Sequence, residues 1–164
     1  MSKLIMSAAV FSLWLLAGCV ESHLDAKPLE PAKTPPSYDE MKNAARSEGK
    51  PPELAGQYSR IHELMCHFLI LLPKGNYSLT CQGYTGPGLY GTAVGTWRLA
   101  GCELFLDPAE EEGILKDRPI RHLDILLYKG STIFVWDADK EAFLQHGPGR
   151  KTCFAPSRAW DQPW

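Results

Sequence analysis

Tyr77-Ser78-Leu79-Thr80-Cys81-Gln82 alternates apolar and polar residues without a break. In Ala93-Val94-Gly95-Thr96-Trp97-Arg98-Leu99 the set Ala93, Gly95, Trp97, Leu99 likewise alternates with Val94, Thr96, Arg98. A period of two is that of a pleated strand with one face in the core and one in water. Leu104 and Leu106 continue the pattern, with Phe105 as an apolar intruder on the polar face. Upstream, His67 to Leu72 is a continuous apolar run. Downstream, Leu123 to Tyr128 and Thr132 to Trp136 frame a further hairpin. Turn residues separate these runs: Pro73-Lys74-Gly75-Asn76, Ala100-Gly101 and Lys129-Gly130. Strands joined by short turns pair with their neighbours in order. The expected fold is therefore mainly β, a small antiparallel β-barrel or sandwich of about six to eight strands with short helical segments. One helical turn or two is expected from Asp107-Pro108-Ala109-Glu110, an N-cap Asp followed by Pro, stopped by Gly113.

Outside this region the chain changes character twice. Leu4 to Leu16 is apolar except for Ser7 and Ser12 and follows Lys3. It is shorter than the roughly 20 residues that span a bilayer and suits the core of a secretory signal. Leu16-Ala17-Gly18-Cys19 then matches every position of the lipobox and resembles that of bacterial lipoproteins. The resemblance implies diacylation of the Cys19 thiol, cleavage of residues 1–18 as a signal peptide, and acylation of the new amine. Two or three acyl chains hold a protein on a membrane where one does not. Val20-Glu21, in place of the Asp associated with inner-membrane retention, implies the outer membrane, facing the periplasm. Residues 19–53 read as a lipidated Pro-rich tether and residues 54–164 as the β domain. Inside the tether, Ser37-Tyr38-Asp39-Glu40 has the form of a capping box, with a helix ending near Ser47 and too little apolar surface to be stable alone.

Gly56-x-Tyr58, Leu72-Pro73-x-Gly75-x-Tyr77 and Gly95-x-Trp97-x-x-x-Gly101-x-x-x-Phe105 resemble the hairpin grammar of small lipocalin-like envelope lipoproteins, including the copper-resistance and envelope-stress group. That group carries a Cys-x-x-Cys pair that this chain lacks. Tyr90, Trp97 and Gly101 are also similar to the barrel of membrane-bound lysozyme inhibitors.

The remaining cysteines, Cys66, Cys81, Cys102 and Cys153, suit two disulfides in an oxidising compartment, with three connectivities open. A hairpin turning at Pro73 to Asn76 puts Cys66 and Cys81 near one end, which favours that bridge and leaves Cys102 for Cys153. Their spacing does not match zinc ligands.

Candidate chemistry is sparse. With 17 basic against 19 acidic residues there is no basic footprint for nucleic acid. Gly86-Pro87-Gly88-Leu89-Tyr90-Gly91 spells a dinucleotide fingerprint, but a strand pattern follows where a helix must open. Asp137-x-Asp139-x-Glu141 begins like a calcium loop, yet Ala142 and Pro148 occupy the positions of its Gly and last Glu, so a solvated turn is expected. His62, Cys66 and His67 are neighbours without a completing cluster, and His122 and His146 stand alone in the sequence. No nucleophile elbow or paired acids call for catalysis, and no metal or cofactor is expected. Tyr77 and Trp97 should fill the core. Tyr84, Tyr90 and Trp160, with Phe154 and Trp164, fall in loop or tail contexts and are the candidate binding residues, unless the tail merely plugs one barrel end. The function expected is a membrane-anchored, non-catalytic envelope lipoprotein binding a small hydrophobic ligand or an envelope protein. The rival is an inhibitor or immunity-type lipoprotein blocking a cell-wall hydrolase.

Overall fold

The period-two segments form one antiparallel sheet in the computed structural model, which describes residues 35–47, 54–62, 64–83 and 90–157. The strands are β1 (Gly56–His62), β2 (Met65–Leu71), β3 (Asn76–Gly83), β4 (Tyr90–Ala100), β5 (Glu103–Gly113), β6 (His122–Tyr128), β7 (Ser131–Trp136) and the short β8 (Ala155–Pro156). Each of β1 to β7 pairs with its sequence neighbour, and β8 returns to the free edge of β1. Phe134 and Phe154 exchange both backbone hydrogen bonds, at 2.9 and 2.8 Å, and bring β7 against the residue preceding β8. The eight strands thus make a nearly closed barrel, in agreement with the fold class expected from the sequence.

Alternation decides what lies inside. Tyr77, Leu79 and Cys81 from β3 are buried, as are Leu104 and Leu106 from β5. They pack with Tyr58, Leu69, Leu71, Leu123, Ile125, Phe134 and Phe154. The rings of Tyr58 and Phe134 meet edge-on, 4.5 Å between centroids. Each such side chain contributes about 1.5–3 kcal/mol on burial. Large side chains therefore fill most of the barrel. Trp97 is only half-buried and donates its indole N–H to the Leu72 carbonyl at 3.1 Å. Phe105 lies under the Arg98 guanidinium, 4.2 Å from the ring centroid, which accounts for an apolar residue on the outer face.

The helix expected at Asp107 does not form there. Residues 103–113 continue as β5 because ten of them find partners on β4. The register slips by one between Val94 and Gly95, opposite Pro108. A bulge of this kind tolerates proline, which has no N–H for the ladder. It also demands glycine, since a Cβ on Gly95 would overlap the Asp107 carbonyl oxygen and the Pro108 Cα. The helical turn comes later, as α2 (Ile114–Asp117), after Gly113 turns the chain at φ 60°.

The capping box is present. The Ser37 backbone N–H donates to Glu40 Oε2 at 2.7 Å and the Glu40 N–H donates to Ser37 Oγ at 3.3 Å, opening α1 (Tyr38–Ser47). This helix does not wait in a tether. Tyr38 and Met41 are buried with Leu126, Ile133 and Val135 on the outer face of β6 and β7, together with Phe143 of α3 (Lys140–His146). The compact unit accordingly begins at Pro35, ahead of the boundary expected at Glu53. Tertiary packing stabilises a three-turn helix that would be marginal alone.

Candidate functional site

One end of the barrel is left open by its own side chains. The end of β1, the start of β2, α2 and the 3-10 turn Asp137–Asp139 surround a cavity of about 320 Å³. Its apolar wall comes from Met65, Ile114, Leu115 and Trp136, and its polar wall from Arg60, His62, His67, Cys81, Arg118 and Asp139. Gly113 permits this arrangement. A Cβ there would overlap the Tyr90 carbonyl oxygen, so only glycine lets α2 fold back against β4 at the mouth.

The floor is an ion pair. Arg60 is 1% exposed on the inner face of β1, and its two terminal nitrogens Nη1 and Nη2 donate to Asp139, the second at 3.1 Å. Its guanidinium also stands over the rings of Trp136 and Phe154, 5.4 and 5.6 Å from their centroids. Burial lowers the Arg60 pKa and raises that of Asp139, desolvation outweighing the attraction between them in both cases. The expected solvated turn at Asp137-x-Asp139 is thus corrected: Asp139 is buried, because a guanidinium inside a barrel requires a counter-charge. Phe154, expected in the tail, is wholly buried core.

Beside the pair, His67 Nε2 lies 3.4 Å from Cys81 Sγ. The register sets this contact, His67 standing directly opposite Cys81. Burial, and then the Arg60 charge, lower the His67 pKa to about 3. Burial pushes the Cys81 thiol up to about 11. Near neutral pH the two form a neutral imidazole–thiol contact, a hydrogen-bonding wall and not an ionised nucleophile pair.

That register corrects the disulfide expectation. Cys66 faces Gln82 and therefore points to the opposite side of the sheet from Cys81. Cys81, Cys102 and Cys153 are buried free thiols, Cys102 Sγ 3.4 Å from the Lys42 carbonyl oxygen and Cys153 Sγ 3.4 Å from that of Gly149. Neither Cys66–Cys81 nor Cys102–Cys153 is formed. A shift of one residue along a strand reverses the face, and position relative to a turn does not report it.

A second polar cluster lies outside the barrel beneath α1. Glu103, His122 and Asp124 bring ligand-type atoms within 4.8 Å of one another. Lys42 Nζ is already there, 2.5 Å from Asp124 and 3.3 Å from Glu103, with Lys140 Nζ 3.3 Å from Asp124. The Tyr38 hydroxyl also donates to Asp124. His122, alone in the sequence, stands 2.9 Å from Asp137. The ammonium groups supply the charge a cation would bring, so the cluster reads as a clamp fixing α1 to β6.

Of the binding residues expected, Tyr90 is exposed at the start of β4. Cys19, Tyr84 and Trp160 lie outside the described residues. The residues the structure brings together at the mouth, Arg60, Asp139, His67 and Cys81, were not singled out as binding residues. Arg60 sits two residues after Tyr58 on β1 and so shares its inward face, a placement that the sequence reading did not make. No protein-family model, curated protein or solved structure matches this chain.

Proposed function

We propose that this chain is an envelope lipoprotein, anchored by acyl chains on Cys19, whose β domain binds a small, largely apolar molecule in the mouth of its barrel without transforming it. The observation that carries the reading is the cavity itself. It is about 320 Å³, with Met65, Ile114, Leu115 and Trp136 on one side and a few fixed polar groups on the other. Binding pockets have this make-up, and cavities for small ligands begin at roughly 300 Å³. The filled barrel below the mouth supports a compact ligand over a long lipid threaded along the axis. The neutral imidazole–thiol pair supports binding over covalent chemistry. The lipobox Leu16-Ala17-Gly18-Cys19 supports the anchor.

The two halves of the reading are tested together by fractionation and extraction. The full chain should sediment with membrane, and Cys19→Ala should move to the soluble fraction or persist as precursor. Organic extracts of the purified full chain should contain a small apolar species in stoichiometric amount. Wild-type sedimentation of Cys19→Ala would remove the anchor, and extracts indistinguishable from a detergent blank would count against the ligand.

A further inference from the structure

We infer that the ligand of the barrel mouth carries a carboxylate, seated on the side edge of the Arg60 guanidinium. This names the ligand class for the cavity proposed above and rests on that reading. A guanidinium has two edges that can each hold a carboxylate: the two terminal nitrogens at its end, and Nε with one terminal nitrogen at its side. Asp139 occupies the end edge through Nη1 and Nη2. Nε has no hydrogen-bond partner among the described residues, although Arg60 is almost wholly buried. His67 Nδ1 is likewise buried and without a partner. Buried polar atoms are nearly always satisfied, and both residues belong to the cavity wall, so an acceptor seated there would complete the Arg60 Nε donor and, in the tautomer whose Nε2 accepts from the Cys81 thiol, His67 Nδ1 as well.

Charge selects the acceptor. Among the described residues lining the cavity, the guanidiniums of Arg60 and Arg118 face the single carboxylate of Asp139. One further negative charge balances them, whereas a cation would be repelled. Arg118, exposed just after α2, adds a second guanidinium to the cavity wall. The apolar wall of Met65, Ile114 and Leu115 then takes the hydrocarbon part. A small apolar acid satisfies both walls at once.

Calorimetric titration of the full chain in detergent, with detergent blanks subtracted, tests this with hexanoate, hexanol and hexylamine. Hexanoate should bind about tenfold to a hundredfold more tightly than hexanol, the range expected for charged hydrogen bonds, and hexylamine should not bind. Arg60→Lys should reduce that preference, since an ammonium lacks the side edge. Arg118→Gln, a substitution at an exposed position, should weaken hexanoate several-fold and hexanol less. Hexanol binding as well as hexanoate would overturn the carboxylate while leaving the apolar pocket standing. Indifference of hexanoate to Arg118→Gln would also overturn it. Binding of none of the three probes would overturn both this inference and the reading beneath it.

Discussion

Arg60 and Asp139 are 79 residues apart in sequence and meet at the floor of the barrel mouth, tying β1 to the turn that follows β7. The pair joins strands on the two sides of the barrel's closure, where the sheet is held otherwise by the short β8 and the Phe134–Phe154 bridge.

Asp139→Asn should therefore destabilise the fold strongly. It leaves a guanidinium 1% exposed without its counter-charge. Breaking one side of a buried pair costs about 3–5 kcal/mol, while replacing both partners with apolar residues costs far less. Urea denaturation should show a large fall in midpoint for Asp139→Asn and a smaller one for the double variant Arg60→Met, Asp139→Leu. Equal losses for the two would mean that the ion pair is not closed.

His67 should make stability sensitive to acid. Its folded pKa, about 3, lies below the ordinary value near 6.5, so the unfolded chain binds a proton that the folded one refuses. The sign follows: the contribution is complete above about pH 6.5 and is lost as pH falls toward 3. Denaturation midpoints measured across that window should fall with pH, and His67→Gln should flatten the slope there. An imidazole signal for His67 titrating near pH 6.5 would contradict its burial.

Cys81 and Cys153 should resist alkylation in the folded protein. Burial raises their thiols to about 11 and about 12, so little thiolate exists near neutral pH. Peptide mapping after iodoacetamide treatment should find both unmodified until denaturant is added. Modification at the rate of a small-molecule thiol would show that the mouth and the outer core layer open readily.

The barrel was legible because alternation is local. Tyr77-Leu79-Cys81 and Leu104-Leu106 show in a few residues which face is dry, and turns such as Lys129-Gly130 show which strands are neighbours. The mouth was not legible, because it depends on register. Cys66 and His67 look equivalent in sequence, yet one step along β2 puts His67 against Cys81 and Cys66 on the other face. Asp107-Pro108 misled for a similar reason. Its helix-start chemistry is real, but long-range pairing with β4 across the Gly95 bulge outweighs it. Asp139 resembled a surface acid because Arg60, the group that draws it inward, is on a distant strand.

The central claim is that the cavity at the barrel mouth, and not an exposed aromatic such as Tyr90, is where this protein holds a small apolar molecule. Met65→Trp tests it most directly by filling the cavity from its half-buried rim. Saturable binding of the hexanoate and hexanol probes should be measured for wild type, Met65→Trp and Tyr90→Ala, with melting temperatures recorded alongside. The account predicts that Met65→Trp abolishes binding while melting stays close to wild type, and that Tyr90→Ala binds normally. Undiminished binding by a folded Met65→Trp, or its loss in Tyr90→Ala, would contradict it.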